Sequence, residues 1–518
     1  MSPTSSSKPP ATSGSLAEEA DKADTFDIGP KRNVAGLLAG PIAGLLLALV
    51  LPDSLAFEGR AVAGCALWMA IWWMTEAAPI PVTSLLPLVL FPLFGLDTLR
   101  NVAAPYADPV VFLVMGGVIL ALATQRSNLH HRVALLTIRA VGTRPSQIVL
   151  GMMLASAFVS AWVSNTATAV IMVPIGVSIL RLVRDIDRHA VDDKFAAAMM
   201  LGIAYGVTIG SMATLIGQPP TALMKAYLGS EQSFDMQFGQ WMLVGVPFAA
   251  VMLMITWFVL TKIVFRTALK EIPGGSGLIH SELARQGRIT TPERRVSAIF
   301  LLAIFFWVAV PYIADLPLVA QTLPFLSTIS DPQVAMAAAI ACFLLPAHAR
   351  SEGRGSAPLL GWSSAKDIPW GLLLLFGGGL SLSAMFTEAG LSAWIGQQVG
   401  ALQGLPLVVI VMIAAAVGLG LTELTSNTAT AAAFFPIMGA VAAGIGINPV
   451  LMTIVMTLAV CSAYMLPVAT PSNAVAFGSG EVSIRQMVRA GIWLNAVSLV
   501  LIVLALYTLL PLVFGVSI

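Results

Sequence analysis

Long apolar stretches, separated by short polar or charged segments, make up most of the chain after its first thirty residues. The stretches lack the period-two alternation of a half-buried strand, and their lengths are near the ~20 apolar residues that a membrane-spanning helix needs. Eleven of them lie at roughly 34–51, 59–79, 82–96, 109–125, 195–228, 241–264, 296–314, 333–347, 368–388, 446–479 and 485–515. The pattern predicts an all-α polytopic membrane protein with about 11 transmembrane helices.

Two further apolar segments, near 146–180 and 404–440, are each interrupted by Ser-Asn-Thr and are not counted as crossings. Lys and Arg lie in alternate loops, which places those loops in the cytoplasm. This asymmetry holds only if each interrupted segment enters and leaves the bilayer on one face. The two segments are therefore predicted to be re-entrant hairpins, the first opening to the cytoplasm and the second to the outside. The N-terminus is then inside and the C-terminus outside.

The amino-acid composition narrows the class of protein further. Hydrophobic residues make up 57% of the chain and charged residues 10%, whereas a soluble domain is roughly 25% charged. The net charge of +1 offers no basic surface for nucleic acid. Neither a nucleophile–base pair nor a metal-ligand pattern occurs in the apolar stretches, so an enzyme is not predicted. Residues 1–30, rich in Ser, Pro and Ala, are predicted to be a disordered cytoplasmic tail.

The chain contains an internal repeat. The sequence Ser-Asn-Thr-Ala-Thr-Ala occurs at 164–169 and again 262 residues later at 426–431. The same offset relates Pro174 to Pro436, Ser160 to Thr422, and Gly116-Gly117 to Gly378-Gly379. Because the two copies start from opposite faces, they are inverted repeats of about five crossings each, with the first helix extra. Inverted repeats with broken helices are typical of secondary transporters with a midplane site.

A second pair of breaks supports this interpretation. Residues 217–221 read Gly-Gln-Pro-Pro-Thr and residues 469–473 read Ala-Thr-Pro-Ser-Asn, each inside a long apolar segment. Proline removes a backbone donor, and the freed groups are tolerated at membrane depth only where they face protein or a filled cavity. Pro219 and Pro471 are the predicted hinges. Lys225, near the outer end of its helix, is expected to extend toward the membrane surface.

The polar tips indicate which ligands they can hold. Amide and hydroxyl oxygens with unwound carbonyls suit small hard cations, while helix N-termini favour anions. The segments 160–174, 216–221, 422–436 and 466–474 contain no Lys or Arg, and their one charged residue is Glu423. A buried dianion would then need a co-bound cation, which favours cation-coupled anion transport. Glu423 is either a proton relay or a structural carboxylate, and we favour the structural role.

The paired tips, the two proline breaks and the stretch Trp73–Ile80, which reads WMTEAAPI, resemble the divalent anion/sodium symporter family. These proteins carry di- and tricarboxylates, and some carry sulfate. The resemblance implies a single transporter unit over residues 31–518 that forms a homodimer in the bacterial inner (plasma) membrane. It also implies an elevator mechanism, with a scaffold at about 31–145 and 241–403 and a transport domain at about 146–240 and 404–518.

Carried over by position, the family's sodium sites use oxygen atoms from both tips and both breaks. One site would comprise Ser160, Ser164, Asn165 and the Gly217 carbonyl, and the other Thr422, Thr425, Asn427 and the Ala469 carbonyl. The substrate carboxylates would face Asn165, Thr166, Asn427, Thr428 and Thr470, with Gln218 beside them. Gln218 and Thr221 depart from the family, which usually has a small hydroxyl residue and often Asn at these positions.

The resemblance implies sodium symport of C4-dicarboxylates such as succinate, malate or fumarate. Thr168 and Thr430 stand where a branch of sodium-independent exchangers often has Arg at a tip, which favours sodium coupling. Exchange of dicarboxylates, and sodium-coupled transport of sulfate or citrate, remain the alternatives.

Overall fold

The computed structural model describes residues 33–141, 144–186, 193–266, 286–347 and 357–516. Within these ranges the regular elements are helical, apart from an isolated antiparallel bridge between Pro346 and Pro358. The tail predicted at 1–30 lies outside the described residues.

The helices follow one another with short connections. The first half of the chain contains Val34–Val50, Phe57–Thr75, Ile80–Thr83, Leu86–Leu93, Leu99–Ala103, Pro109–Arg126, Leu129–Val141, Pro145–Ser160, Asn165–Ile186, Asp193–Ser211, Pro219–Gln232 and Phe238–Phe258. The second half contains Thr291–Val308, Val310–Ala314, Pro317–Thr322, Asp331–Leu344, Trp370–Glu388, Leu391–Gln398, Leu407–Thr422, Asn427–Gly444, Pro449–Val460, Pro471–Gly478, Ile484–Tyr507 and Leu509–Phe514. A π-helical turn, Val259–Val264, extends the helix that ends at Phe258.

Each apolar stretch that the sequence pattern singled out is occupied by helix. Five helical segments are long and apolar enough to cross a membrane unaided: Leu99–Arg126, Asp193–Ser211, Phe238–Val264, Trp370–Glu388 and Ile484–Phe514. The other stretches form shorter apolar helices. The helical fold is therefore confirmed, whereas the number of crossings and the sides of the termini stay predictions.

The two interrupted segments form helix pairs, and the first helix of each pair has 16 residues. The first hairpin consists of Pro145–Ser160 and Asn165–Ile186, and the second of Leu407–Thr422 and Asn427–Gly444. Three of these bounds, 145, 160 and 165, recur 262 residues later at 407, 422 and 427. Both pairs turn through four residues and resume helix at the Asn of Ser-Asn-Thr. The repeat seen in the sequence is thus also a repeat of backbone structure.

The two proline motifs lie where helices are interrupted. We call residues 212–218, which follow the helix ending at Ser211, the first break, and residues 461–470 the second break. Pro219 and Pro471 each occupy the first position of the next helix, where the missing N–H costs least and the fixed φ favours helix. Their role as hinges stays a prediction.

Two pairs of glycines let helices approach closely. A Cβ added to Gly116 would lie 2.8 Å from the Cβ of Ala335, and one added to Gly378 would lie 2.3 Å from the Ser84 carbonyl oxygen. The neighbouring glycines face other elements. Gly117 lies against Ile216 in the first break, and Gly379 lies against Ala432 in the second hairpin. In each repeat, therefore, one glycine packs within the predicted scaffold and the next packs on the predicted transport domain.

The predicted domain boundary at residues 240/241 falls inside the helix Phe238–Phe258. Three contacts tie this helix to predicted transport-domain elements. Trp241 Nε1 donates to the Met212 carbonyl at 3.0 Å, and Trp257 Nε1 donates to the Ser146 carbonyl at 2.8 Å. Ser498 Oγ donates to Met252 Sδ at 3.9 Å.

Lys225 forms a buried ion pair with Asp331. Its side chain is buried, and Nζ donates to Asp331 Oδ2 at 2.8 Å and to the Met236 carbonyl. The same Asp331 oxygen accepts the Phe238 N–H at 3.0 Å. Nζ also lies 3.6 Å from the exposed carboxylate of Asp235. The Asp331 carboxylate supplies a partner that the ammonium would otherwise seek in water, and extension of the side chain toward the membrane surface stays a prediction.

Candidate functional site

Both hairpin tips contain the same hydroxyl–amide contact. Ser160 Oγ donates to Asn165 Oδ1 at 2.8 Å, and Thr422 Oγ1 donates to Asn427 Oδ1 at 2.6 Å. Each contact joins the last residue of one hairpin helix to the first residue of the other. It also places two neutral oxygen atoms together, which is the kind of ligand pair that a hard cation accepts. The structure thus brings together two predicted sodium ligands at each tip.

The first tip is fastened to the first break by Thr214. The Thr214 hydroxyl donates to the Ala161 carbonyl and accepts the Gly217 N–H at 3.0 Å. The Thr214 hydroxyl therefore links the first tip to Gly217, whose carbonyl is a predicted sodium ligand. Ser164 Oγ, another predicted ligand, accepts the Ala167 N–H at 3.4 Å as that helix begins.

The second tip is fastened to the second break directly. The Thr422 hydroxyl that bonds Asn427 also contacts the Val460 carbonyl at 2.8 Å, where the helix before the break ends. Thr425 Oγ1 contacts Thr430 Oγ1 at 2.7 Å and donates to the Leu421 carbonyl at 2.9 Å. The Thr425 hydroxyl is therefore engaged within the hairpin.

Glu423 is a buried carboxylate surrounded by donors. Its two oxygens accept the backbone N–H groups of three successive residues of the second break, Tyr464, Met465 and Leu466, at 2.8–3.2 Å. Asn495 Nδ2 donates to the same carboxylate at 2.7 Å. Every contact is one that an ionised carboxylate accepts, so the side chain joins the second hairpin to the unwound backbone. This geometry favours the structural role over the proton relay.

Glu423→Gln is expected to lower thermal stability in detergent and to reduce uptake. The substitution removes the charge and turns a donor toward backbone N–H groups, and a hydrogen bond to a charged group contributes about 1.5–3 kcal/mol. Glu481→Gln is the matched control, because Glu481 pairs at 2.6 Å with the partly exposed Arg184 and such pairs contribute about 0–1 kcal/mol. Wild-type stability with an altered pH dependence of uptake would instead support the proton relay.

The predicted substrate residues lie at helix starts. Asn165 and Asn427 are the first residues of their helices, and the buried Thr166 and Thr428 are the second. Thr470 precedes Pro471 and caps its helix, since Thr470 Oγ1 accepts the Asn473 N–H at 3.2 Å. Helix starts present free N–H groups and a partial positive charge to an anion.

Gln218 directs its amide nitrogen toward the end of the preceding helix. The side chain is 1% exposed. Its Nε2 donates to the Thr208 carbonyl at 2.7 Å and to Ser211 Oγ at 2.6 Å. Both amide hydrogens are therefore used inside the protein, and a contact between Gln218 and substrate stays a prediction.

Sequence reasoning missed the residues that join the helix before the first break to the helix after the second break. The buried Thr208 and Ser472 hydroxyls lie 3.0 Å apart, and Ser472 Oγ also lies 3.0 Å from Thr470 Oγ1. Ser472 adjoins a proline motif, which is a weak signal. Thr208 lies inside an apolar helix, and its sequence context gives no indication of the contact.

The model of the sodium:sulfate symporter transmembrane region matches residues 31–515. The sodium-dependent dicarboxylate transporter SdcS of Staphylococcus saprophyticus is 39% identical over 499 residues, covering 95% of this chain and 94% of the relative. SdcS of Staphylococcus aureus strain USA300 is 40% identical over 488 residues, covering 93% and 92%.

The structure was compared with solved structures. The crystal structure of the Alcanivorax borkumensis YdaH transporter matches with a TM-score of 0.55 at 14% identity, covering 87% of this chain and 98% of that chain. This likeness shows a shared fold. Together with the family match, it identifies a multi-pass membrane transporter and not an enzyme. The chain belongs to the sodium:sulfate symporter family, that is, to the divalent anion/sodium symporters.

Proposed function

We propose that the protein is a sodium-coupled symporter of divalent anions, with C4-dicarboxylates such as succinate, malate and fumarate as substrates. The observation that carries the proposal is the hydroxyl–amide contact repeated at the two tips, Ser160 with Asn165 and Thr422 with Asn427. Neither tip sequence contains Lys or Arg. The relatives' name, sodium-dependent dicarboxylate transporter, agrees with this choice of ion and substrate.

We propose two sodium sites, with the ligands that the family resemblance implies. The first comprises Ser160, Ser164, Asn165 and the Gly217 carbonyl, and the second comprises Thr422, Thr425, Asn427 and the Ala469 carbonyl. On binding, sodium would take the Asn oxygen that now accepts a hydroxyl hydrogen. The amide nitrogen of the same side chain would then donate to a substrate carboxylate, together with Thr166, Thr428 and Thr470.

This arrangement explains why the two ligands would be coupled. A sodium ion that fixes the Asn oxygen also fixes the direction of the Asn N–H groups, so part of the ordering cost of binding the anion is already met. The ion also supplies positive charge next to the dianion, in a site where an unpaired charge would be costly. Affinity for each ligand then rises with the other, by the same factor in both directions.

Movement would follow an elevator mechanism within a homodimer, the scaffold being fixed and the transport domain mobile. We place the boundary of the transport domain after Val264 rather than at residue 240, because Trp241, Met252 and Trp257 contact transport-domain elements. The buried pair of Lys225 and Asp331 then joins the two domains in this conformation.

Sodium coupling is tested with purified protein in liposomes. Uptake of labelled succinate is expected to require sodium on the substrate side and to fall when potassium or choline replaces it. Malate, fumarate, citrate, 2-oxoglutarate and sulfate compete in the same assay, and the strongest competitor identifies the substrate class. Normal counter-exchange without sodium, combined with no net uptake into empty vesicles, would contradict symport and support the exchanger.

A further inference from the structure

The two breaks carry the same side-chain chemistry at exchanged positions. In the first break an amide precedes the proline and a hydroxyl follows two residues after it, at Gln218 and Thr221. In the second break the hydroxyl precedes the proline and the amide follows, at Thr470 and Asn473. The helices that follow the two breaks both begin at a proline, and aligning these two prolines shows the exchange.

The exchanged amides bind equivalent places. Asn473 Nδ2 donates to the Leu466 carbonyl at 3.1 Å and contacts the Ala463 carbonyl at 3.5 Å. Gln218 Nε2 donates to Ser211 Oγ at 2.6 Å. Ser211 and Ala463 occupy the same position relative to the prolines. In each break, therefore, an amide contacts the residue eight positions before the proline, through its hydroxyl at Ser211 and through its carbonyl at Ala463.

The Thr221 hydroxyl also bonds different groups from those that the Thr470 hydroxyl bonds. Thr221 Oγ1 donates to the Gln218 carbonyl at 2.6 Å and lies 3.0 Å from the Leu215 carbonyl oxygen, both within the break. Thr470, in contrast, caps its own helix. The helix that begins at Pro219 has no side-chain cap.

Gly217 lies inside the loop that Gln218 closes. A Cβ added to Gly217 would lie 2.2 Å from the Ser211 carbonyl oxygen. The Gly217 backbone is therefore in close contact with the end of the preceding helix. Gln218 binds the side chain of that same Ser211, and also the carbonyl of Thr208. Loss of the amide would release the segment that presents the Gly217 carbonyl.

We propose that Gln218 and Thr221 form one coupled pair of positioning residues, in which Gln218 holds the first break closed and thereby sets the position of the Gly217 carbonyl for sodium. The assignment of that carbonyl rests on the proposed function. The coupling of the two positions rests on the bond from Thr221 Oγ1 to the Gln218 carbonyl and on the comparison with the second break.

The test uses Gln218→Thr, Thr221→Asn and the double variant in the full-length protein. Gln218→Thr is expected to raise the sodium concentration for half-maximal uptake roughly tenfold. Under this proposal the KM for succinate at saturating sodium should change little, because both amide hydrogens of Gln218 are used inside the protein. Gln218→Thr should also lower the unfolding temperature. Adding Thr221→Asn is expected to restore both quantities, since the new amide stands where Asn473 stands in the second break.

Gln232→Thr provides the matched control. Gln232 lies at the far end of the same helix, and its Nε2 donates to Tyr227 Oη at 3.2 Å, so Thr221→Asn should not restore any stability lost in that variant. A changed order of preference among anions in Gln218→Thr, without rescue by Thr221→Asn, would overturn the proposal and place Gln218 against substrate. If the wild type took up anions without sodium, the proposed function would fail, and rescue of the unfolding temperature would still decide whether the pair is coupled.

Discussion

Asn165→Asp and Asn427→Asp, each alone, are expected to abolish nearly all anion uptake while the protein still folds and inserts. The substitution keeps the oxygen that accepts the Ser160 or Thr422 hydroxyl. It replaces the N–H donor with a negative charge close to a dianion. Loss of one hydrogen bond to a charged group is worth about 1.5–3 kcal/mol, or roughly ten- to hundredfold in affinity, and charge repulsion adds to this. The measurement is sodium-driven succinate uptake, normalised to the amount of reconstituted protein.

Thr168→Ala is the control for these variants. Thr168 lies one helical turn beyond the first tip, and within the described part of the chain its buried hydroxyl has no hydrogen-bond partner. Its counterpart Thr430 contacts Thr425, a proposed sodium ligand, so Thr430→Ala should weaken sodium dependence where Thr168→Ala does not. Wild-type uptake by either Asn→Asp variant would exclude a site built on these two amides.

A disulfide between Gly379→Cys and Ala432→Cys is expected to stop uptake completely, and reduction is expected to restore it. A Cβ at position 379 would lie 3.0 Å from the Cβ of Ala432, and disulfides form with Cβ atoms about 3.5–4.5 Å apart, so a shift of less than 1 Å suffices. Gly379 belongs to the proposed scaffold and Ala432 to the second hairpin. An elevator cannot complete its cycle while these two are bonded.

Single-cysteine variants treated with the same oxidant serve as controls. The native cysteines Cys65, Cys342 and Cys461 are buried, which limits their reaction. The matching glycine of the other repeat, Gly117, faces a different element, Ile216 in the first break, where the corresponding Cβ atoms lie 3.3 Å apart. Undiminished transport by the oxidised Gly379/Ala432 variant, with the disulfide verified by mass spectrometry, would contradict relative movement of the two domains.

The helix–turn–helix arrangement of the hairpins could be predicted because particular side chains mark it in the sequence. The Ser-Asn-Thr motifs interrupt apolar runs, and their common offset of 262 residues also relates the observed helix bounds. The proline motifs mark the breaks because proline, which has no N–H and a fixed φ, is favoured at the first position of a helix.

The remaining details could not be predicted, because their partners are distant in sequence or are backbone groups. The partner of Lys225 is Asp331, 106 residues away. The donors to Glu423 are N–H groups of unwound backbone, which every residue except proline possesses. The direction of the Gln218 amide depends on the Thr208 carbonyl, another group without a sequence signature.

The carboxylate of Glu423 has a consequence for the response to membrane voltage. If the second hairpin moves, this fixed negative charge moves with it. A dianion with two sodium ions is neutral, so under this scheme the tips and breaks of the loaded and the empty carrier would bear the same single charge. A third sodium ion would make the loaded form neutral and leave voltage acting on the empty form alone. One charge crossing the full potential is worth about 2.3 kcal/mol per 100 mV, with an inside-negative potential favouring outward return. The voltage dependence of the two half-cycles would therefore report how many sodium ions accompany each substrate.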